Sequence, residues 1–355
     1  MKIVHVEHWT EHFELSKPYT IAYETIEAVD NQIVRIETDE GLFGIGAGSP
    51  GPEVTGESID DCRCSLDAHL ESQLLDRDIR ELNALIRELE KNMPAAPAAR
   101  AAIDMALFDL SSKYLRKPLV ELLGRAHRSL PTSITIGIES IWESIEEAQD
   151  YVKRGFRILK IKIGKSLEED LERLHKLREA LGKQILIRVD INQAYSREQY
   201  RKFIQDTESL SLEFVEQPLD ALDIDDMCSL PENMRTIAAA DESLLSPVDA
   251  LNYACPPRPF GIYNIKLMKC GGIYPAVKIA DVAHTAGIDL MWGCNDESIV
   301  SISAALHAAL ASPATRYLDL DGSLDLGRDI VKGGFILEDG ELSVIDQPGL
   351  GVTLL

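Results

Sequence analysis

Acidic side chains recur at the ends of short apolar segments in the second half of the chain. Asp190, Glu216 and Asp241 each end such a segment, at successive intervals of 26 and 25 residues. If these segments are neighbouring parallel strands, the three carboxylates converge on one rim, where they repel and raise one another's pKa. A hard divalent cation relieves that repulsion, and an all-oxygen set suits Mg²⁺. The spacing predicts one Mg²⁺ site per subunit; the alternative is separate carboxylates that cap helices or pair with lysines.

Three lysines occupy equivalent positions in this pattern. Lys160 and Lys162 are two residues apart on one predicted strand, so both point to the same face. Lys266 lies four strands further along, which places it across the barrel from Lys162. Mutual repulsion and partial burial are expected to lower the pKa of such lysines to ~7–8, which suits a general base. We expect Lys162 and Lys266 to be catalytic and Lys160 and Asn192 to support them, the alternative being that the lysines only neutralise the carboxylates.

These side chains need a scaffold that brings the ends of several strands together. From about residue 130 the sequence alternates short apolar strands with helical patterns such as 166–181 and 196–207. This regular alternation is typical of a parallel (β/α) barrel. Strands are predicted at 134–138, 158–163, 185–191, 213–217, 236–240, 262–267, 288–293 and 316–321.

The first part of the chain has a different pattern. Alternation over 1–9 and 31–38 predicts strands, and helical patterns follow near 57–75, 78–92 and 95–115, which together indicate an α+β domain. The tail, 333–355, returns to strands and turns. The predicted fold is therefore α/β, a modified TIM (β/α) barrel over 129–325. It carries an α+β capping domain over 1–128 and a C-terminal segment over 326–355 that packs back on the capping domain.

The composition narrows the range of partners. The chain has 355 residues, with 36 Lys and Arg against 59 Asp and Glu and a formal net charge of −23. Such a surface repels phosphate backbones and anionic membranes, so neither nucleic acid nor a membrane is an expected partner. The six cysteines show no framework spacing, and no apolar stretch approaches the ~20 residues of a membrane span. We expect free thiols and a cytoplasmic location. Because barrels of this build often assemble through their exteriors, we also expect a homo-oligomer.

Five short motifs carry a resemblance to a known family. They are Lys160-Ile161-Lys162, Val189-Asp190-Ile191-Asn192-Gln193, Val215-Glu216-Gln217-Pro218, Ala240-Asp241-Glu242-Ser243 and Asn264-Ile265-Lys266-Leu267-Met268-Lys269-Cys270-Gly271-Gly272. In this order they resemble the muconate lactonising subgroup of the enolase superfamily, over essentially the whole chain. Members of this superfamily pair a Lys or His base with one or two Mg²⁺ ions that stabilise an enediolate.

Within that subgroup the chain is most similar to dipeptide epimerases, and the segment that indicates this is Asp319-Leu320-Asp321. Two carboxylates on one strand face can accept an ammonium group. By resemblance, Asp319 and Asp321 hold the α-ammonium of a dipeptide substrate. The alternative is an exposed pair of carboxylates bound to Arg316 or Arg328.

The resemblance also implies a reaction. In a Mg²⁺-dependent dipeptide epimerase, the metal binds the terminal carboxylate and stabilises the charge of an enediolate. Lys162 and Lys266 then act as two bases on opposite faces, so a 1,1-proton transfer inverts the α-carbon of the C-terminal residue. Two alternatives stay open. One is a muconate cycloisomerase or o-succinylbenzoate synthase-like enzyme of the same superfamily, and the other is a non-catalytic metal-binding barrel that binds small acids.

Two loops that close over the site in the family lie here near 19–27 and 47–57. They carry Glu24 and Glu53, and Asp296 lies near the end of the seventh predicted barrel strand. Some relatives that act on Ala-Glu dipeptides have an arginine where this chain has Glu24. Acidic groups at these positions favour cationic or neutral side chains, so we expect a preference for cationic or hydrophobic dipeptides. The alternative is that the loop carboxylates are simply solvated, as most are in an acidic protein.

Overall fold

The computed structural model describes residues 1–20 and 25–355. Its N-terminal part opens with a three-stranded antiparallel sheet in the order β1-β2-β3. The strands are β1 (Ile3–Thr20), β2 (Thr25–Thr38) and β3 (Phe43–Gly48), and the helices that follow are α1 (Pro52–Thr55), α2 (Ile59–Leu74), α3 (Leu82–Asn92), α4 (Pro97–Tyr114) and α5 (Leu119–Leu123). Strands followed by a block of helices match the predicted α+β pattern of this part.

Glycines set the distance between β3 and α4. The β3 sequence places Gly44, Gly46 and Gly48 on the face that meets α4, whose residues are almost all buried. A Cβ atom at Gly46 would lie 1.9 Å from the carbonyl oxygen of Ala102, so a side chain at this position would displace the helix. The close approach of strand and helix therefore accounts for the glycine-rich sequence of β3.

A short strand, β4 (Ser129–Pro131), leads into eight parallel strands in the order β12-β11-β10-β9-β8-β7-β6-β5. The eight strands are β5 (Ile134–Ile136), β6 (Ile158–Lys162), β7 (Leu186–Asp190), β8 (Val215–Glu216), β9 (Ala238–Ala240), β10 (Ile262–Ile265), β11 (Asp289–Gly293) and β12 (Thr315–Asp319). A parallel bridge between Thr132 and Leu318 joins the two ends of the sheet. The sheet is a nearly closed barrel, so the predicted fold class is confirmed.

Helices connect the barrel strands. They are α6 (Ile141–Lys153), α7 (Leu167–Leu181), α8 (Arg197–Asp206), α9 (Ile224–Ser229), α10 (Glu232–Thr236), α11 (Pro247–Tyr253), α12 (Leu267–Cys270), α13 (Ile273–Ala286) and α14 (Ile299–Ala311). Serines begin several of them: Ser140 forms a capping box with Glu143, and Ser196 forms one with Gln199. Such caps satisfy backbone N–H groups that have no partner within the helix, which is why α6 and α8 start where they do.

The C-terminal residues form four short strands, β13 (Val331–Gly333), β14 (Phe335–Glu338), β15 (Glu341–Val344) and β16 (Val352–Leu354). Strands β14 and β15 form a sheet with β4, and β13 pairs with β16. The backbone N–H of Leu350 donates to Asp109 on α4 at 2.9 Å, and Arg328 pairs with Glu11 on β1 at 2.8 Å. The tail therefore contacts the N-terminal part at two separate places.

Side chains of the N-terminal part also cap two helices of the barrel. Asp104 on α4 accepts hydrogen bonds from the backbone N–H of Ile273 at 2.5 Å and of Tyr274 at 3.3 Å, where α13 begins. Asn31 on β2 accepts one from the N–H of Ser298, the N-cap residue of α14, at 3.0 Å. Both helices begin beyond the carboxyl ends of barrel strands. The N-terminal part is therefore attached to the end of the barrel where catalytic groups of such folds lie.

All six cysteines are free thiols, as predicted. Among the residues that the structure describes, no helix combines the length and the apolar composition needed to cross a membrane.

The contact between α5 and α14 predicts how stability depends on pH. His307 on α14 is buried, and its Nδ1 accepts a hydrogen bond from the N–H of Val120 at 3.0 Å, which requires a neutral ring. Burial lowers the pKa of His307 from 6.5 to about 4. A depressed histidine pKa contributes stability that is present above the unfolded value and is lost as the pH falls through the folded value.

We expect His307→Asn to remove this dependence, because asparagine keeps an acceptor and does not titrate. Between pH 7 and pH 4 the free energy of unfolding of the wild type should fall by up to about 3 kcal/mol more than that of the variant. Urea unfolding at several pH values measures the difference, in which contributions shared by the two proteins cancel. If the wild type and the variant differ by the same free energy of unfolding from pH 7 to pH 4, a lowered pKa of His307 is contradicted.

Candidate active site

A cavity of about 560 Å³ lies between the N-terminal part and the carboxyl ends of the barrel strands. Lys17, Asp30 and Glu53 line it from the N-terminal part. Its lining from the barrel includes the polar residues Lys160, Lys162, Asn192, Asp241, Glu242, Lys266, Asp296, Asp319 and Asp321. The structure thus brings most of the residues selected from the sequence to one cavity.

The three carboxylates predicted to hold a metal lie side by side on neighbouring strands. In the register of the barrel Asp190 of β7 is opposite Glu216 of β8, and Asp241 directly follows β9. All three side chains are buried, and Asn264 of β10 donates to Glu216 Oε1 at 2.7 Å. Parallel strand pairing therefore brings together acids that are distant in the sequence.

Lys160 neutralises several of these acids at once. Its Nζ lies 2.8 Å from Glu216 Oε2, 2.8 Å from Asp319 Oδ2 and 3.2 Å from Asp190 Oδ2. Burial acts to lower the pKa of Lys160, but the surrounding carboxylates outweigh burial and hold that pKa well above its ordinary value. Lys160 therefore remains a cation, which agrees with a supporting charge.

Lys162 is held at the edge of the same cluster. Its Nζ donates to Asp190 Oδ2 at 3.1 Å and to Asn192 Oδ1 at 3.1 Å. The amide of Asn192 in turn donates to Glu242 Oε1 at 3.2 Å. Asn192 has a backbone φ of 44°, a left-handed conformation that asparagine tolerates better than most residues. This backbone turn and the two hydrogen bonds orient Asn192 toward the Lys162 ammonium group.

Lys266 directly follows β10, and its Nζ donates to Asp241 Oδ2 at 2.9 Å. The expectation that opposed lysines lower each other's pKa is wrong for Lys266 in this arrangement. Burial and the charge of Lys160 do act to lower the pKa of Lys266, but contact with Asp241 outweighs them and raises it above the ordinary value. Lys266 is therefore an ammonium group here, able to donate a proton.

The acidic cluster can be tested for its fit to a metal ion. As the side chains stand, the described part of the chain contains no group of three His, Cys, Asp or Glu arranged to hold a metal. Lysine ammonium groups lie against these oxygens instead, as Lys160 does within 3.2 Å of Asp190 and Glu216. The oxygens therefore already accept a cation, and a set made only of carboxylates fits a hard divalent ion. Asp190, Glu216 and Asp241 would hold it in place of some of these lysine contacts.

Asp319 and Asp321 are buried in the cavity wall. Asp319 accepts a hydrogen bond from the Ser133 hydroxyl at 2.6 Å in addition to its contact with Lys160. Asp321 Oδ2 accepts one from the N–H of Thr135 at 2.7 Å, and burial together with the charge of Asp319 raises the pKa of Asp321 to about 7. An ammonium group beside Asp321 would favour its ionised form.

The alternative of an exposed carboxylate pair bound to arginine is wrong. Arg316 pairs with Asp289 at 3.0 Å, and Arg328 pairs with Glu11 at 2.8 Å. The sequence could not show this, because the residues with which these arginines pair lie on other elements.

The loop residues selected for specificity are found in different places. Glu53 and Asp296 line the cavity, and the hydroxyl of Ser49 donates to the backbone carbonyl of Asp296 at 2.9 Å. That hydrogen bond fixes the loop after β11 against the N-terminal part. Glu24 lies outside the described residues.

Several cavity residues were not selected from the sequence. Lys17 lines the cavity with its Nζ 2.9 Å from Glu147 Oε1 and 3.8 Å from Glu139 Oε2. Burial and the charge of Glu147 raise the pKa of Glu139 to about 7, and burial raises the pKa of Asp325 to about 6. Lys269, which contacts Asp241 from outside the cavity, has no predicted role beyond its place in a motif. A charged residue within a mostly apolar segment was the available sequence signal for these positions. The spacing of strand ends predicts only residues at strand ends, so it does not identify cavity residues on helices and loops.

Comparison with protein families agrees with this geometry. The model described as "Mandelate racemase / muconate lactonizing enzyme, N-terminal domain" matches residues 3–124, and the model described as "Enolase C-terminal domain-like" matches residues 143–355. The chain belongs to the enolase superfamily. The resemblance drawn from the five sequence motifs is therefore confirmed.

Individual members of the superfamily are similar over the whole chain. An L-Lys-D/L-Arg epimerase from Methylococcus capsulatus is 55% identical over 99% of this chain and 99% of its own length. The crystal structure of a dipeptide epimerase from that organism, complexed with Mg and the dipeptide L-Arg-D-Lys, has a TM-score of 0.98 over 99% of this chain and 100% of that chain. A hydrophobic dipeptide epimerase from Enterococcus faecalis is 38% identical over 99% of this chain and 100% of its own length.

Replacing Lys160 tests the charge balance of the cluster. Lys160→Met leaves three buried carboxylates without their shared counter-ion, and breaking a buried ion pair costs about 3–5 kcal/mol. We expect a loss of that size in the free energy of unfolding, measured by urea in a buffer with a chelator. Lys165→Met, at an exposed position in the loop after β6, is the matched control. A loss no larger than that of the control would show that Lys160 does not balance the cluster.

Proposed function

We propose that this chain is a Mg²⁺-dependent dipeptide epimerase that inverts the α-carbon of the C-terminal residue. The observation that carries the proposal is that Lys162 and Lys266 line one cavity from β6 and β10, which three other strands separate in the barrel. The acidic cluster lies between them. The similar dipeptide epimerase from Methylococcus capsulatus, whose crystals contain Mg and a dipeptide, supports both the cofactor and the substrate class.

The two lysines can divide a proton transfer between two faces of one carbon. With the substrate carboxylate at the acidic cluster, Lys162 removes the α-proton from one face, and Lys266, an ammonium group in this structure, delivers a proton to the other. In the reverse direction the two roles exchange. Bound Mg²⁺ supplies positive charge that stabilises the electron density developing on the substrate carboxylate. Lys160 and Asn192 hold the charge and the orientation of this part of the site.

The other end of the dipeptide meets carboxylates. Asp321 lines the cavity, and burial together with the charge of Asp319 raises its pKa to about 7, so an ammonium group beside it would stabilise the ionised form. We assign it to the substrate α-ammonium together with Asp319, whose negative charge Lys160 already shares. A pair of carboxylates that binds an amine favours a dipeptide epimerase over a cycloisomerase, because the acids on which cycloisomerases act have no ammonium group to bind here.

The acidic wall of the cavity supports a preference for cationic side chains. Glu53, Asp296 and Asp325 line the cavity, and the ammonium group of Lys17 pairs with Glu147 in the same wall. An acidic wall attracts a lysine or arginine side chain and repels an acidic one. The L-Lys-D/L-Arg epimerase at 55% identity supports this preference, and the hydrophobic dipeptide epimerase at 38% identity supports neutral side chains as weaker substrates.

The two-base assignment predicts different defects in two lysine variants. Lys162→Met and Lys266→Met should each lose epimerisation by about 100- to 10,000-fold, the usual contribution of a positioned acid or base. Each variant should still exchange the α-proton of only one epimer for deuterium in D₂O, and the two variants should differ in which epimer that is. Mass spectrometry and proton NMR measure the exchange, with Lys165→Met as control. Exchange of the same epimer by both variants, or epimerisation that persists in either, would exclude the assignment.

The acidic wall predicts a change of preference when its charges are removed. Glu53→Gln and Asp296→Asn should each lower kcat/KM for dipeptides that contain Lys or Arg by about 10- to 100-fold, the loss expected for a hydrogen bond to a charged group. Dipeptides with neutral side chains should change little. Asp60→Asn, at an exposed position of α2, is the matched control for the loss of one negative charge. An equal effect on cationic and neutral dipeptides would show that these carboxylates do not select the side chain.

Other expectations stay predictions. They are the domain boundaries at 128/129 and 325/326, assembly as a homo-oligomer and a cytoplasmic location. The contacts of the tail with Asp109 and Glu11 support its assignment to the capping domain. The exposed Val248 and Leu251 on α11 are compatible with an interface on the outside of the barrel.

A further inference from the structure

Lys269 is a buried lysine directed at the acidic cluster from outside the cavity. It lies on α12, the single helical turn after β10, and is not among the described residues that line the cavity. Its Nζ donates to the backbone carbonyl of Asp241 at 2.6 Å, to Asp241 Oδ1 and to the backbone carbonyl of Asn264 at 3.3 Å. All of these acceptors lie at the ends of the two strands that bear Asp241 and Lys266.

The hydrogen bonds of Asp241 are divided between its two oxygens. Oδ1 accepts from Lys269, whereas Oδ2 accepts from Lys266 at 2.9 Å. We propose that Lys269 is a positioning residue, which holds Oδ1 and the Asp241 backbone so that Oδ2 faces Lys266 and the cavity. The proposal rests on the proposed function, because Asp241 and Lys266 matter here as a metal ligand and a catalytic group.

The backbone around Lys269 is itself fixed. Gly271 and Gly272 follow with φ of 97° and 117°, and a Cβ atom at Gly272 would lie 2.4 Å from the side chain of Asp104. Within α12, the sulfur of Met268 accepts a hydrogen bond from the N–H of Ser49 at 3.1 Å. The turn is therefore held between the N-terminal part and the barrel, and it can transmit this rigidity to Asp241 through Lys269.

The hydrogen bonds of Lys269 reach the half of the site that contains Asp241 and Lys266. Lys162 is held by Asp190 and by Asn192, with which Lys269 shares no hydrogen bond. Loss of Lys269 should therefore disturb proton transfer at Lys266 more than at Lys162.

If Lys269 only balanced charge, its removal would strengthen Mg²⁺ binding, because a positive charge beside Asp241 would be lost. If Lys269 positions Asp241, its removal should weaken Mg²⁺ binding.

Mg²⁺ affinity distinguishes these two roles. Isothermal titration of metal-free protein with MgCl₂ should show binding that is weaker by about 10- to 100-fold in Lys269→Met, as for other residues that orient a metal ligand. Lys113→Met is the matched control, because Lys113 also donates to a buried carboxylate and to a backbone carbonyl, those of Asp109 and Phe43. It should bind Mg²⁺ like the wild type. Binding by Lys269→Met that is equal to or tighter than that of the wild type would overturn the proposal.

A second measurement separates positioning from general destabilisation. In D₂O with Mg²⁺ at saturation, Lys269→Met should slow α-proton exchange of the epimer that depends on Lys266 at least about 10-fold more than exchange of the other epimer. Equal slowing of both epimers would overturn the proposal. If Lys269→Met does not fold, Lys269→Gln, which loses the charge but keeps N–H donors, is measured instead, and Mg²⁺ binding tighter than that of the wild type would overturn the proposal. Failure of the wild type to exchange any dipeptide would instead exclude the proposed function, and the affinities would still report on Lys269.

Discussion

The central constraint in this protein is the balance of buried charge at the mouth of the barrel. Carboxylates at the ends of neighbouring strands are removed from water, and each is stable only because a lysine lies against it. Lys160 contacts three of them, and each carboxylate oxygen of Asp241 accepts a hydrogen bond from a lysine. The same carboxylates are the groups that would hold Mg²⁺. A cation site and a proton-transfer site are thus built from one network, in which a change at any member alters the charge of the others.

The N-terminal part lies over this network of charges and keeps it from bulk water. It is attached by hydrogen bonds from backbone N–H groups at the starts of α13 and α14 to Asp104 and Asn31, in addition to ion pairs such as Lys17–Glu147. Its glycine-rich strand packs close to α4, which carries Asp104. The packing of β3 against α4 therefore determines where the N-terminal part lies over the cavity. The low local dielectric constant beneath it strengthens the charge interactions of the acidic cluster.

Much of the fold was predictable because a parallel barrel repeats. The end of β7 at Asp190 and of β8 at Glu216 appears in the sequence as a charged residue after an apolar run, at a spacing that one strand and one helix determine. The proton affinity of Lys266 was not predictable in this way. It depends on which carboxylate its side chain reaches, and Asp241 lies on a different strand. Lys269 was quoted and given no role for the same reason, because its acceptors are set by a helical turn and not by strand spacing.

The division between chemistry and selectivity follows from the same geometry. Groups at strand ends are fixed by the barrel, so the lysines proposed to move the proton and the carboxylates proposed to hold Mg²⁺ change position only if the barrel changes. The residues proposed to meet the substrate side chain, such as Glu53, lie on the loops and on the N-terminal part, where substitution costs little stability. Asp321 lies between these two groups. It belongs to the segment that follows β12 and lines the cavity, and the charge of Asp319, which Lys160 contacts, couples it to the central cluster.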